Sequence, residues 1–168
     1  MGITIHFEGR LKNNENYDAL IKKVIEFSKF QNWKYFQFEN ESKVLERIKN
    51  EENWDYEGLT KGIHVVPHEN SEPLIFEFDK DLYIQEYCKT QFAPIEIHLK
   101  VIELLHVLVQ YFESIDILDE GEYWETNDVN LLEQNWEDFY IAMDKAIEEN
   151  NSLQGPFKLE NGRIIDLM

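Results

Sequence analysis

Two neighbouring stretches set the fold class: LIFEFDKDLYIQEY, residues 74–87, and APIEIHLKVIELLHVLVQYF, residues 93–112. In the first, Leu74, Phe76 and Phe78 alternate with Ile75, Glu77 and Asp79, the period of a half-buried strand. Asp79-Lys80-Asp81 supplies a turn, and Leu82–Tyr87 returns as another strand. In the second stretch Pro94 stands where helices begin. Residues 95–112 are apolar on more than half of the helical circumference, as a core helix is. Glu96, His98, Lys100, Glu103, His106 and Gln110 interrupt it too often for a membrane span. A core helix beside antiparallel strands predicts an α+β domain.

Nearer the N-terminus, Ile3, Ile5 and Phe7 alternate with Thr4, His6 and Glu8, which predicts a half-buried strand. Asn13, Asn14 and Asn16 carry helix-start chemistry, and Tyr17, Leu20, Ile21, Val24 and Phe27 keep helical spacing to about residue 31. Asn32 closes that helix, and Trp33–Phe38 reads as a short strand. Between Glu39 and Thr60, Val44, Leu45 and Ile48 suggest a short polar helix, with Trp54 and Tyr56 as anchors in a charged loop. Gly62–Val66 is a strand stopped by Pro67, and with the strands of residues 74–87 it predicts a three-stranded meander. Ile115–Leu118 and Glu122–Glu125 read as short extended pieces around Gly121. Asn127-Asp128 caps a last helix whose inner face is Leu131, Leu132, Trp136, Phe139, Tyr140 and Met143. Asn161-Gly162 between short apolar runs signals a hairpin. The expectation is one domain over residues 1–168. It has an antiparallel sheet, about three helices with the 93–113 helix central, and a hairpin-like extension over 150–168.

Charge narrows the partners. The net charge is −18, and between Lys100 and Lys145 there are twelve acidic residues and no basic one. Such a surface disfavours nucleic acid and anionic lipid and favours cations or basic proteins. Cys88 is the only cysteine, so no intramolecular disulfide forms. MGITIHFEGR lacks the pattern of a signal peptide, so a cytoplasmic protein is expected. Glycine-rich phosphate loops, G-x-S-x-G elbows and Cys/His nucleophile pairs are absent from the sequence. No cofactor is expected, and the balance leans away from an enzyme.

Two constellations could carry chemistry. Asp119, Glu120, Glu122, Tyr123, Trp124 and Glu125 form an acidic, aromatic turn. An aromatic ring among carboxylates suits an Arg- or Lys-rich protein, through ion pairs and cation–π contact. The same acids, and Asp128, also suit the positive end of the last helix. The alternative is a metal-binding protein or a hydrolase-type enzyme. There His98 would work with the Asp119–Glu125 acids, and His98, Glu122 and Glu125 would be the metal ligands. The leading expectation is a binding protein, with an immunity-type inhibitor of a basic partner as one form of it.

Two segments carry a resemblance. Lys89-Thr90-Gln91-Phe92-Ala93-Pro94-Ile95-Glu96-Ile97-His98 and Asp119-Glu120-Gly121-Glu122-Tyr123-Trp124-Glu125-Thr126-Asn127-Asp128 resemble the KTQFAPxExH and DEGxYWETxD segments of a family of uncharacterised bacterial proteins of similar length. Thr4–Gly9 and the Pro67-His68 step are similar too, so the likeness spans roughly residues 3–140. It implies a shared fold and a shared site, and no activity. Glu122 and Asn127 stand here where that pattern has glycine, which concerns backbone shape at the turn.

Overall fold

The computed structural model describes residues 2–168 and has the α+β architecture expected. The chain runs β1 (Thr4–Leu11), α1 (Asn14–Gln31), β2 (Lys34–Leu45), β3 (Ile48–Lys49), β4 (Glu52–Asn53), β5 (Tyr56–Val66), β6 (Leu74–Phe78) and β7 (Tyr83–Lys89). It continues with α2 (Ile95–Leu108), a 3-10 turn, β8 (Phe112–Asp119), α3 (Tyr123–Thr126), α4 (Val129–Glu149), β9 (Phe157–Lys158) and β10 (Ile164–Ile165). Among the described residues no helix is long and apolar enough to cross a membrane.

The local chemistry of α1 is what its sequence prescribes. Asn13 accepts the Asn16 N–H at 2.9 Å, and Asn32 ends the helix in the left-handed region at φ 60°. Its inner face, Tyr17, Leu20, Ile21 and Val24, joins one core with α2 residues Val101, Ile102, Leu104, Leu105 and Leu108. Both sheets contribute to that core, through Ile5, Phe7, Ile84 and Cys88 from one and Ile63, Val65, Leu74, Phe76 and Phe78 from the other.

The sheets are antiparallel, ordered β7-β1-β8 and β2-β5-β6. This corrects the expected meander. β5 pairs with β6, but β7 joins β1 instead of continuing the same sheet. The β6–β7 turn explains the departure. Asp79 Oδ1 accepts the N–H groups of Asp81 and Tyr83, and Leu82 adopts φ 62°. The two strands are held at their ends, by Asp79 N–H to Tyr83 O and Glu72 N–H to Lys89 O, while they belong to different sheets.

Three further expectations change. No polar helix forms within residues 39–60. β2 instead pairs with β5 as far as Leu45↔Tyr56, past an irregularity between Asn40 and Lys43. Val44 and Ile48 are exposed, so they offer no helical face to bury, and the ladder decides the outcome. The β3–β4 hairpin turns through Asn50 and Glu51, both at positive φ. The central helix ends at Leu108 rather than near residue 113, because β8 claims the chain from Phe112. Glu122–Glu125 is not extended: Tyr123–Thr126 is one helical turn, entered and left through left-handed Glu122 and Asn127. Those are the two positions where the resemblance expects glycine.

The C-terminal hairpin is present and is fastened by polar contacts. The Arg163 guanidinium donates to Tyr87 O at 2.8 Å and to Glu86 Oε2 at 2.9 Å. The Ile164 N–H donates to Glu72 Oε2, and Lys89 Nζ reaches Ile164 O and Asp166. Burial dominates Glu86 and, despite Arg163, pushes its carboxyl up to about 7.

Candidate functional site

The acidic turn organises itself around a buried pair. β8 ends on Asp119 and α2 carries His98, and both side chains are fully shielded from solvent. His98 Nε2 donates to Asp119 Oδ2 at 3.1 Å, since an ionised carboxylate can only accept. Nδ1 lies 2.7 Å from Thr90 Oγ1, whose single hydroxyl proton also has Ile3 O within reach at 3.2 Å. Asp119 also accepts the backbone N–H groups of Gly121, Tyr123 and Trp124, at 2.8, 3.0 and 3.0 Å. Burial alone would raise its carboxyl. The hydrogen bond and charge of His98, with the Trp124 and Gly121 amides, outweigh burial and hold it below the usual value.

Thr90, His98 and Asp119 thus have the connectivity of a nucleophile–base–acid relay without access for a substrate. Thr90 is fully buried, and a Cβ on Gly121 would already lie 3.3 Å from His98 Nε2 and 2.6 Å from Leu132. This relay ties the family-like segment 89–98 to the family-like segment 119–128. Its geometry is that of a structural fastening.

The other residues of the turn are dispersed. Asp119 belongs to the interior rather than to the surface. Glu120 accepts from His6 Nε2 at 3.0 Å, and Glu122 from Asn135 Nδ2 at 2.9 Å. Glu125 Oε1 lies 3.5 Å from the Asp119 N–H, and Asp128 caps α4 through Asn130 and Leu131. Tyr123 and Trp124 do not protrude; both are half-buried against the core, with Trp124 stacked on His106 at 4.0 Å between ring centres. His98, Glu122 and Glu125 are not brought together as ligands. Among the described residues no group of three or more His, Cys, Asp or Glu is arranged to hold a metal ion.

A different site lies on the outer face of the β7-β1-β8 sheet, where no helix packs. Its floor is His6 and Glu8 from β1, Gln85 and Tyr87 from β7, and Asp116 and Leu118 from β8. Glu46, Arg47, Ile48, Asn53 and Asp55, around the β3–β4 hairpin, wall an open cleft of about 870 Å³. Gln85 fixes that wall, accepting the Ile48 N–H and donating to Ile48 O.

The electrostatics of this cleft are one-sided. In register, Glu8 lies between Gln85 on one side and Asp116 on the other. Glu8 accepts from Tyr83 Oη and from Gln85 Nε2. Burial, with the hydrogen bond and charge of Glu8, pushes the Tyr83 hydroxyl above its usual value. Directly opposed carboxylates in a sheet repel, so the Glu8–Asp116 pair is a local cost, offset on the Glu8 side by Tyr83 and Gln85 and not on the Asp116 side. Arg47 does not relieve it. Its guanidinium is buried, donates to Asp79 Oδ2 at 2.9 Å, and lies 4.9–5.7 Å from the ring centres of Tyr83, Tyr56 and Trp54. Among the described residues the side chains of Asp116 and Glu46 make no hydrogen bond or ion pair, and Ile48 and Leu118 are each about 60% exposed beside them.

Compared with models of known families, with curated proteins and with solved structures, the chain matches none.

Proposed function

We propose that the chain is a binding protein whose acidic cleft takes a basic segment of a partner protein. The observation that carries this reading is the Glu8–Asp116 pair on an open sheet face, where Arg47 is bound to Asp79 and Arg10 lies over the Tyr83 ring at 5.9 Å rather than in an ion pair with either acid. Surfaces with uncompensated like charge beside exposed apolar side chains suit a partner that supplies the opposite charge. Tyr87, Ile48 and Leu118 offer apolar contact around the acids, and Tyr87 lies 42% exposed. Glu120 borders the floor through His6, so the acidic turn meets the cleft at its edge. Inhibition of a basic toxin in the cytoplasm, as an immunity-type protein does, is the form of binding that fits this charge pattern.

The test is capture of a stoichiometric partner at low salt, and then its affinity for two charge-reversed chains. Asp116→Lys weakens the complex by about tenfold or more. Glu133→Lys makes the same change of net charge on exposed α4 and leaves it unaltered. Equal weakening by both would reduce the interaction to bulk charge and remove the cleft from it.

A further inference from the structure

We propose that the partner enters as an extended strand added to the free edge of β8; this rests on the basic-segment reading of the cleft. The order β7-β1-β8 leaves β8 with one open side. The direction of its backbone groups is set by the pairing. Glu120 N–H bonds Thr4 O, so the even-numbered residues of β8, including Asp116 in register with Glu8, turn their N–H and C=O toward β1. The odd-numbered residues turn theirs outward. At Asp119 the outward N–H faces Glu125 Oε1 at 3.5 Å. Among the described residues, no hydrogen bond outside the β1 ladder uses the N–H or C=O of Ile115 or Ile117. They present a short row of unsatisfied donors and acceptors beside the cleft.

Natural sheet edges are usually blunted by Lys, Pro or a bulge against such pairing. From Glu113 to Leu118 β8 carries no Lys and no Pro, and its one irregularity lies at the far end, near Phe112. What it carries instead is Asp116 and Glu113. Pairing is therefore open to strands that bring positive charge and closed to acidic ones, a second copy of β8 among them. An antiparallel strand paired with Ile115 and Ile117 sets a side chain directly opposite Asp116, on the cleft face, at the close non-hydrogen-bonded spacing of about 4.5 Å between Cα atoms. A Lys or Arg there meets Asp116 with Glu8 one strand further in. Among the remaining edge strands, β2 mixes Lys34 and Lys43 with Glu39 and Glu41, and so selects no charge.

Two nine-residue peptides of alternating Lys and Val test this, one unmodified and one N-methylated on the alternate residues that would pair with β8. Their charge is the same, and neither alters the protein. The unmodified peptide binds the full chain more tightly by about tenfold or more, the worth of two lost hydrogen bonds. It also slows hydrogen exchange at the Ile115 and Ile117 amides. Equal affinity of the two peptides, or unchanged exchange at both amides, overturns strand addition. Asp116→Lys separates the two levels: unaltered affinity for the unmodified peptide in that variant overturns the basic-segment reading itself.

Discussion

Asp119 is the residue on which the acidic turn depends, and its environment has a pH signature. Its folded-state pKa lies below the ordinary 3.8 of a free aspartate. The folded state therefore holds the proton less tightly than the unfolded chain does. The stabilisation is full above about pH 4 and is lost as pH falls from there through the lower folded-state value. Urea denaturation between about pH 5 and 2 should show that loss. In Asp119→Asn the same window should be flatter, from a lower starting stability, because an amide cannot accept from His98 with the strength of a carboxylate. Asp119 was visible in the sequence as one acid among several. Its burial was not, because it depends on His98 of α2 and Leu132 of α4 converging on the turn at Gly121.

Among the elements, the clasp at Arg47 joins the β3–β4 hairpin to the β6–β7 turn. Both members of the Arg47–Asp79 pair are nearly shielded, at 3% and 7% exposure. Removing one partner of such a pair strands the other, so Asp79→Ala should cost about 3–5 kcal/mol in chemical denaturation. The same substitution removes the acceptor for the Asp81 and Tyr83 amides, so the β6–β7 turn loosens with it. Elements with local signals were legible: the Ile5–Phe7 alternation, the Asn13 and Asp128 caps, and the Asn161-Gly162 turn. Those that depend on distant partners were not. Val44 and Leu45 look helical alone and become strand only against Glu57 and Tyr56. β7 reads as the next strand of a meander until β1 takes it. The cleft was hidden for the same reason, since Glu8 and Asp116 meet only through the β1–β8 register.

Over the full chain, charge acts on folding and on binding with opposite signs. A net charge of −18 repels itself in the compact state. Raising the salt from about 0.02 to 0.5 M screens that repulsion and should raise the thermal midpoint. The same increase should weaken a complex formed through Glu8 and Asp116. Melting curves and binding isotherms across one salt series check both. A midpoint that falls with added salt would mean that attractive ion pairs, such as Arg163 with Glu72 and Glu86, outweigh the global repulsion.

The position of β1 shapes the time course of synthesis. It precedes the other described strands along the chain, yet it lies at the centre of its sheet, and Ile5 meets Cys88 on one side and Asp119 on the other. Contacts so distant along the chain close slowly, because much loop entropy is lost before any reward. During translation the Ile5 and Phe7 face stays without its final neighbours until most of the polypeptide has emerged. A nascent chain in that state exposes an apolar strand with both edges open, the form most prone to wrong pairing. Half of the 34 acids lie beyond Glu86 and are made only after β7 has been reached. The ribosome-bound chain is therefore the stage at which this protein has most to gain from a chaperone.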